Sequence, residues 1–281
     1  MINKITQPTI ITVTDIIDEG QDYKTFVFDY ELSAKPGQYV MLWLPGVDFK
    51  PFSVAWQTKK QFGLTVIKVG SYTAELFKIK KGGKLGFIGP YGTNYDLRNK
   101  KRILIIGGGS GVASVIFLAQ AAREQNLEVD FVMAAKTEDK IIYEKWLKKI
   151  SINVYHRFQN KKSRPTLSNG KVVSGKFKRA WDLIEDLVSQ NQYDGLYACG
   201  PELLLKQIVD LSIEKNIFCQ VSLERYMKCG IGVCGSCCIE PLGICLCQAG
   251  PVVSAQFADK ITEFGQYHRD ATGQKICFNN K

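Results

Sequence analysis

Six of the nine cysteines fall within the nineteen residues from Cys229 to Cys247, and that knot constrains the chain more than any other feature. Cys229, Cys234, Cys237, Cys238, Cys245 and Cys247 crowd together there, whereas Cys199, Cys219 and Cys277 are scattered. A secreted disulfide scaffold spreads its cysteines through a short chain, so a dense knot in a chain of 281 residues points to metal. The spacing Cys229-x4-Cys234-x2-Cys237, with further cysteines downstream, fits a [2Fe–2S] cluster: three ligands wrap from one loop and a fourth returns from beyond it. Gly230, Gly232 and Gly235 lie between the thiols, where the backbone must curl closely enough to point N–H groups at the sulfurs. Zinc, the alternative metal, prefers paired C-x2-C knuckles. Spacing alone leaves the fourth ligand open between Cys245 and Cys247.

A chain of this length exceeds one ordinary domain, and 45% hydrophobic with 23% charged residues is enough apolar material for a real core. The pattern divides it. Residues 1–98 read as β, with runs at Ile10–Ile17, Tyr23–Tyr30, Gln38–Leu44, Gly63–Val69 and Lys84–Ile88 separated by Gly/Pro turns. Only Thr73–Ile79 looks helical there, so a small antiparallel barrel is expected. Residues 99–221 alternate strands with helices and predict a doubly wound parallel sheet. Residues 222–262 form the cysteine-rich unit, and 263–281 are expected to be a loosely held polar tail. Asn160–Arg179 is basic and reads as a surface excursion.

Ile103 to Ala122 runs twenty residues without a charge, long enough to span a bilayer by count. The run contains Gly107-Gly108-Gly109-Ser110-Gly111, which breaks a lipid-exposed helix, so a buried strand, a tight turn and a helix are expected instead. Such a turn lets a nucleotide pyrophosphate approach the helix N-terminus. Cys199-Gly200-Pro201 at the carboxyl end of a later strand adds to the same edge, although Cys199 alone reads as a small buried residue. In the barrel, Lys50-Pro51-Phe52-Ser53 offers a cation, an aromatic ring and a hydroxyl for a flavin. Ile67-Lys68-Val69, followed by Tyr72-Thr73 at a helix start, could lie beside it. Read without the rest, these are a strand end and an ordinary cap.

The three signals together resemble the ferredoxin–NADP reductase superfamily. The wording from Ser222 to Cys237 (SLERYMKCGIGVCGSC), closing on Cys247-Gln-Ala-Gly-Pro-Val, is similar to the electron-transfer subunits of type B dihydroorotate dehydrogenases over roughly residues 5–260. The resemblance implies FAD on Lys50, Pro51, Phe52, Ser53, Ile67, Lys68, Val69, Tyr72 and Thr73. It implies a nicotinamide nucleotide, NAD, on Gly107, Gly108, Gly109, Ser110, Gly111, Cys199, Gly200 and Pro201. The cluster ligands it implies are Cys229, Cys234, Cys237 and Cys247, since the fourth ligand of the family immediately precedes a segment ending in Gly-Pro-Val. It further implies an FMN-containing catalytic subunit that oxidises dihydroorotate, with two copies of each subunit. Lys50 departs from the usual Arg, keeping the charge and losing the bidentate fork. Hydrogenase-type reductase subunits share the Met-Lys-Cys-Gly-Ile-Gly wording and are the alternative; a bifurcating ferredoxin–NADP oxidoreductase has Asp at the position of Cys229. A zinc-binding interaction protein on the same scaffold is the alternative of another class.

Lys+Arg exceed Asp+Glu by 37 − 27, giving +10. The basic runs carry no interleaved aromatics for base stacking, so no nucleic-acid partner is expected. His156 and His268 have no paired acid or nucleophile by spacing and are assigned no chemistry. The amino terminus lacks the layout of a signal peptide, and a soluble cytoplasmic protein is the expectation.

Overall fold

In the computed structural model the described residues are 7–20, 22–150, 152–158, 166–167 and 179–278. The excursion at 160–179 lies outside them, save for 166, 167 and 179.

The first unit is a closed antiparallel barrel in the order β1-β2-β5-β4-β3-β6. Its strands are β1 (Thr9–Gly20), β2 (Tyr23–Asp29), β3 (Tyr39–Leu44), β4 (Asp48–Gln57) and β5 (Gln61–Ile67), then, after helix α1 (Ser71–Leu76), β6 (Lys84–Tyr91). Alternate residues point inward, and Phe26, Phe28, Val40, Leu42, Val54, Phe62 and Leu64 fill the interior. Closure removes sheet edges that would otherwise pair with other chains. The barrel is incompletely zipped. The β4–β5 ladder covers only Val54, Trp56 and Gln57, so Lys50–Ser53 pair with β3 alone. Pro51 has no N–H to give a second neighbour, and it sits on that unzipped half.

The second unit begins with β7 (Arg102–Gly108), α2 (Gly111–Glu124), β8 (Glu128–Ala135), α3 (Glu144–Lys149) and β9 (Asn153–Phe158). It continues with β10 (Thr166–Leu167), α4 (Ala180–Gln190), β11 (Gly195–Cys199), α5 (Glu202–Glu214) and β12 (Cys219–Ser222). Five strands are parallel in the order β9-β8-β7-β11-β12. The chain reverses its winding between β7 and β11, the crevice where open α/β sheets bind ligands. The uncharged run from Ile103 is thus strand, turn and helix, and among the described residues no helix is long and apolar enough to cross a membrane.

The cysteine-rich segment holds β13 (Cys238–Ile239), β14 (Ile244–Cys245) and α6 (Leu246–Ala249), followed by β15 (Val252–Ser254) and α7 (Ala255–Ala258). The parallel sheet is not purely parallel: β15 adds antiparallel to β12, so this segment supplies the nucleotide domain with its last strand. The expected loose tail is also corrected. Phe264 is buried, and β16 (Tyr267–Arg269) pairs with β17 (Lys275–Cys277) as a hairpin. Arg269 and the Tyr267 hydroxyl both reach the Glu240 carboxylate, at 2.6 and 2.7 Å, which ties the hairpin to the cysteine-rich segment.

Candidate functional site

Two adjoining cavities lie where the three units meet. The first, of about 440 Å³, opens at the unzipped half of the barrel. Pro51, Phe52 and Ser53 face Thr65, Ile67 and Val69 across it, and Ser110, Ser114, Cys199 and Ser222 close it from the sheet side. Ser114 of α2 donates a 3.0 Å hydrogen bond to the Ser53 hydroxyl, so barrel and sheet are joined at the cavity wall. The second, of about 630 Å³, is walled by Gly108–Ser110, Gly200–Pro201 and the hairpin residues His268, Arg269 and Asp270. Ser110, Glu224 and Arg225 line both.

The glycine turn has two kinds of glycine. A Cβ on Gly111 would meet the Cys199 carbonyl oxygen at 2.3 Å, so this glycine lets α2 pack on the end of β11. Gly107 is similarly crowded by Val112, Gly108 by the Pro201 ring at 2.7 Å, and Gly200 by the Gly108 backbone at 2.9 Å. Gly109 has φ +55 and open space before it, so it faces the cleft. Cys199 is buried, which pushes its thiol up to about 12 and leaves it a packing residue at the cleft wall.

Of the flavin candidates, Pro51, Phe52, Ser53, Ile67 and Val69 line the first cavity, whereas Lys50, Lys68, Tyr72 and Thr73 do not. Lys50 is held by Asp48 at 2.7 Å and donates to the Tyr226 hydroxyl at 3.3 Å. Tyr72 donates to the Leu42 carbonyl and stacks beneath Phe52, with ring centroids 5.9 Å apart. The Thr73 hydroxyl accepts the Val69 and Gly70 amides. The Tyr72 hydroxyl thus ties the start of α1 to β3, and the Thr73 hydroxyl shapes the turn that presents Val69.

Tyr39 and Ser114 line the first cavity without having carried a sequence signal, and Ser222 and Arg225, inside the Ser222–Cys237 wording, line it without having been named as site residues. Arg225 is 3% exposed, with Glu202 on one side at 2.6 Å and Glu263 on the other at 2.8 Å. His268, given no chemistry from sequence, stands on the wall of the second cavity. His156 is buried beside Glu144.

The cysteine loop is shaped by left-handed turns at Gly230, Gly232 and Gly235, with φ of +72, +79 and +71. These turns aim amides at sulfur. Ile231 N–H points to Cys229 Sγ at 3.4 Å, Gly232 N–H to Cys247 Sγ at 3.2 Å, and Cys247 N–H to Cys237 Sγ at 3.4 Å. Burial opposes ionisation of Cys234, yet hydrogen bonds from Ser236 and Cys229 outweigh it and bring that thiol down to about 6. Burial pushes Cys237 up to about 12. Among the described residues no three Cys, His, Asp or Glu side chains converge on a single ion position. The donor set of four thiols ringed by amides suits a [2Fe–2S] cluster, whose sulfurs take such N–H bonds. The geometry also separates the two downstream cysteines. Cys247 is buried within the amide-lined loop, while Cys245 faces Cys238, with sulfurs 3.3 Å apart.

Residues 224–257 match the iron–sulfur cluster binding domain of dihydroorotate dehydrogenase B, and residues 105–210 match an oxidoreductase NAD-binding domain. A probable dihydroorotate dehydrogenase B (NAD(+)) electron transfer subunit of Methanocaldococcus jannaschii is 36% identical over 97% of this chain and 99% of its own. The chain belongs to this family. A second member, from Methanothermobacter thermautotrophicus, is 32% identical over 96% of this chain and 97% of its own. The fold is shared with the NADH-dependent reduced ferredoxin–NADP oxidoreductase, with a TM-score of 0.76 and 24% identity over 90% of both chains. As a dihydroorotate dehydrogenase B electron-transfer subunit, the chain is an NAD-linked oxidoreductase component that serves a catalytic subunit. The iron–sulfur match begins at Glu224, so Glu224 and Arg225, which line both cavities, are continuous in sequence with the cysteine loop.

Proposed function

We propose that the subunit connects a dihydroorotate-oxidising FMN partner to NAD⁺, with FAD in the first cavity and a [2Fe–2S] cluster on Cys229, Cys234, Cys237 and Cys247. When bound, FAD supplies hydride exchange with a nicotinamide and single-electron exchange with the cluster. The observation that carries the reading is Tyr39. Its ring lines the first cavity, and its hydroxyl donates to the carbonyls of Cys247 and Gly230, at 3.0 and 3.3 Å. One side chain thus spans from the cavity wall to the cysteine loop.

The chain's own residues position the groups. Phe52, packed on Tyr72, gives a flat apolar wall on one side of the cavity, and Ser53 and Thr65 supply hydroxyls at its rim. Gly109 and Ser110 open the α2 N-terminus towards the second cavity, where unpaired amides favour a pyrophosphate. Arg225, neutralised by two carboxylates, fixes the junction between the cavities.

The partner docks where Cys234 is exposed. Val233, Leu242 and Ile244 surround that region with apolar side chains open to solvent, Val233 at 76%. Two copies of each subunit form the assembly. The test is anaerobic: dihydroorotate is added to the complex of the subunit with its partner, while flavin absorbance and the cluster's EPR signal are followed together. Reduction of both centres is expected. If NADH reduces them and dihydroorotate does not, the assigned partner is wrong and a reductase serving another subunit remains. Cys234→Ser should abolish NAD⁺ reduction and spare dihydroorotate oxidation by an artificial acceptor; normal NAD⁺ reduction by that variant sinks the relay.

A further inference from the structure

Two of the cysteines beside the cluster loop have no part in the scheme above. Cys238 and Cys245 are direct cross-strand partners of the short β13–β14 ladder. Their sulfurs lie 3.3 Å apart, Cys238 exposed and Cys245 half-buried. Directly opposed residues of an antiparallel pair have Cα atoms about 4.5–5.5 Å apart, inside the range of about 4.4–6.8 Å that a disulfide spans. Joining them needs the sulfurs to close by roughly 1.2 Å, which small side-chain rotations supply.

The placement gives the pair a role. Cys238 follows Cys237 immediately, and Cys245 is the residue from which α6, with Cys247, begins. Between the strands run only residues 240–243, and the ladder is held at its inner end by Leu246 N–H to the Cys237 carbonyl at 2.9 Å. Opening that hairpin is the movement that would carry Cys247 away from the three thiols of the loop.

We propose that Cys238 and Cys245 form a reversible disulfide that latches the hairpin bearing Cys247 to the loop bearing Cys229, Cys234 and Cys237. The oxidant is a low-molecular-weight disulfide. One thiolate of the pair attacks a sulfur of the reagent, forming a mixed disulfide and releasing one thiol. The other thiolate then displaces the second reagent thiol and closes the protein disulfide. The balance is two protein thiols and one small disulfide giving one protein disulfide and two small thiols, with two electrons passed to the reagent. The pair lies outside the four thiols assigned to the cluster, so this chemistry goes beyond the electron-transfer reading.

The test uses the full, cluster-loaded subunit, treated anaerobically with hydroxyethyl disulfide. The expected result is the loss of two titratable thiols, a protein lighter by two hydrogen atoms, and a cross-linked peptide containing Cys238 and Cys245, all with the cluster's visible spectrum intact. Prior treatment with phenylarsine oxide, which clamps paired thiols, should block the change. Cys238→Ser should keep its cluster and basal NADH-dependent activity and gain one stable hydroxyethyl adduct in place of the cross-link. The oxidised wild-type protein should also lose its cluster to a chelator more slowly than the reduced protein, and Cys238→Ser should show no such slowing. A stable adduct on the wild type, a cross-link to any other cysteine, or bleaching before linkage overturns the disulfide. A mapped Cys238–Cys245 bond with unchanged bleaching overturns the latch. The thiol count and peptide map do not depend on dihydroorotate or NAD, so failure here is distinct from failure of the proposed relay.

Discussion

The hydroxyl of Tyr39, on a barrel strand, donates to the carbonyl of Cys247 at 3.0 Å across 208 positions of sequence. Both residues are buried, so that carbonyl has no water to turn to. Tyr39→Phe keeps the ring and strands the acceptor, a loss of about 1–3 kcal/mol for a buried group left unpaired. The variant should melt at lower temperature and surrender its cluster to a chelator faster than the wild type. Unchanged bleaching would show that the barrel does not hold the cysteine loop in place.

Gly109 and Gly111 are two residues apart and should fail in different ways. Alanine at Gly111 drives a methyl to 2.3 Å from the backbone of Cys199, which cannot rotate aside. Such overpacking costs about 1–3 kcal/mol or more, and soluble yield and melting temperature should both fall. Alanine at Gly109 meets no atom within 4 Å and bears only the strain of φ +55, about 1–2 kcal/mol. Its methyl enters the cleft, so Gly109→Ala should fold and bind NADH weakly by isothermal titration. Tight binding by Gly109→Ala would remove the pyrophosphate from this turn.

How far the sequence could be read follows from the range of the interactions. The cysteine spacing and the glycine turn are local patterns, and the structure places each on the loop or strand–helix junction that its chemistry needs. Strand β4 was hidden because Pro51 and Lys50 break its apolar rhythm; it survives because that half of the strand has one neighbour only. The same gap makes the first cavity, whose barrel wall the local motifs marked in part, at Pro51, Phe52, Ser53, Ile67 and Val69. Tyr72 and Thr73 carried a motif whose hydroxyls turn out to be committed to Leu42 and the Val69–Gly70 amides. The hairpin at 267–277 was missed for a related reason: its tether, Arg269 to Glu240, is a long-range ion pair that short polar strands do not advertise.

Acid stability has a defined contributor in Asp96. The Arg98 guanidinium grips both of its oxygens, and the Arg98 amide adds a further bond, together lowering the carboxyl from its ordinary 3.8 to about 2. The folded value lies below the unfolded one, so the ionised carboxylate stabilises the fold above 3.8, and that contribution disappears as pH falls from 3.8 to 2. Arg98 is largely exposed and Asp96 only half-buried, so the effect should be small and should shrink further with added salt. Asp96→Asn should be less stable than the wild type at neutral pH and converge with it in acid. A constant difference at all pH values, measured by urea unfolding, would falsify the assignment.

Arg225 is the residue whose loss should be felt most widely. Its side chain is 3% exposed and is shared by Glu202, 9% exposed, and Glu263, 1% exposed, which hold it at 2.6 and 2.8 Å. Glu202 opens α5 and also accepts the Gly265 amide at 3.0 Å, so one cation joins the nucleotide-domain helix, the segment after the cysteine loop and the boundary of both cavities. Arg225→Met leaves two buried carboxylates without their counter-charge, which costs about 3–5 kcal/mol when a buried pair is broken from one side. Arg225→Lys keeps the charge but cannot serve both acids with one planar fork, so an intermediate loss is expected. Adding Glu263→Gln to Arg225→Met should recover part of the stability, because one stranded charge is removed without changing the shape. Equilibrium unfolding of the three variants checks the ordering. If the double variant is no more stable than Arg225→Met alone, burial of uncompensated charge is not what the arginine prevents.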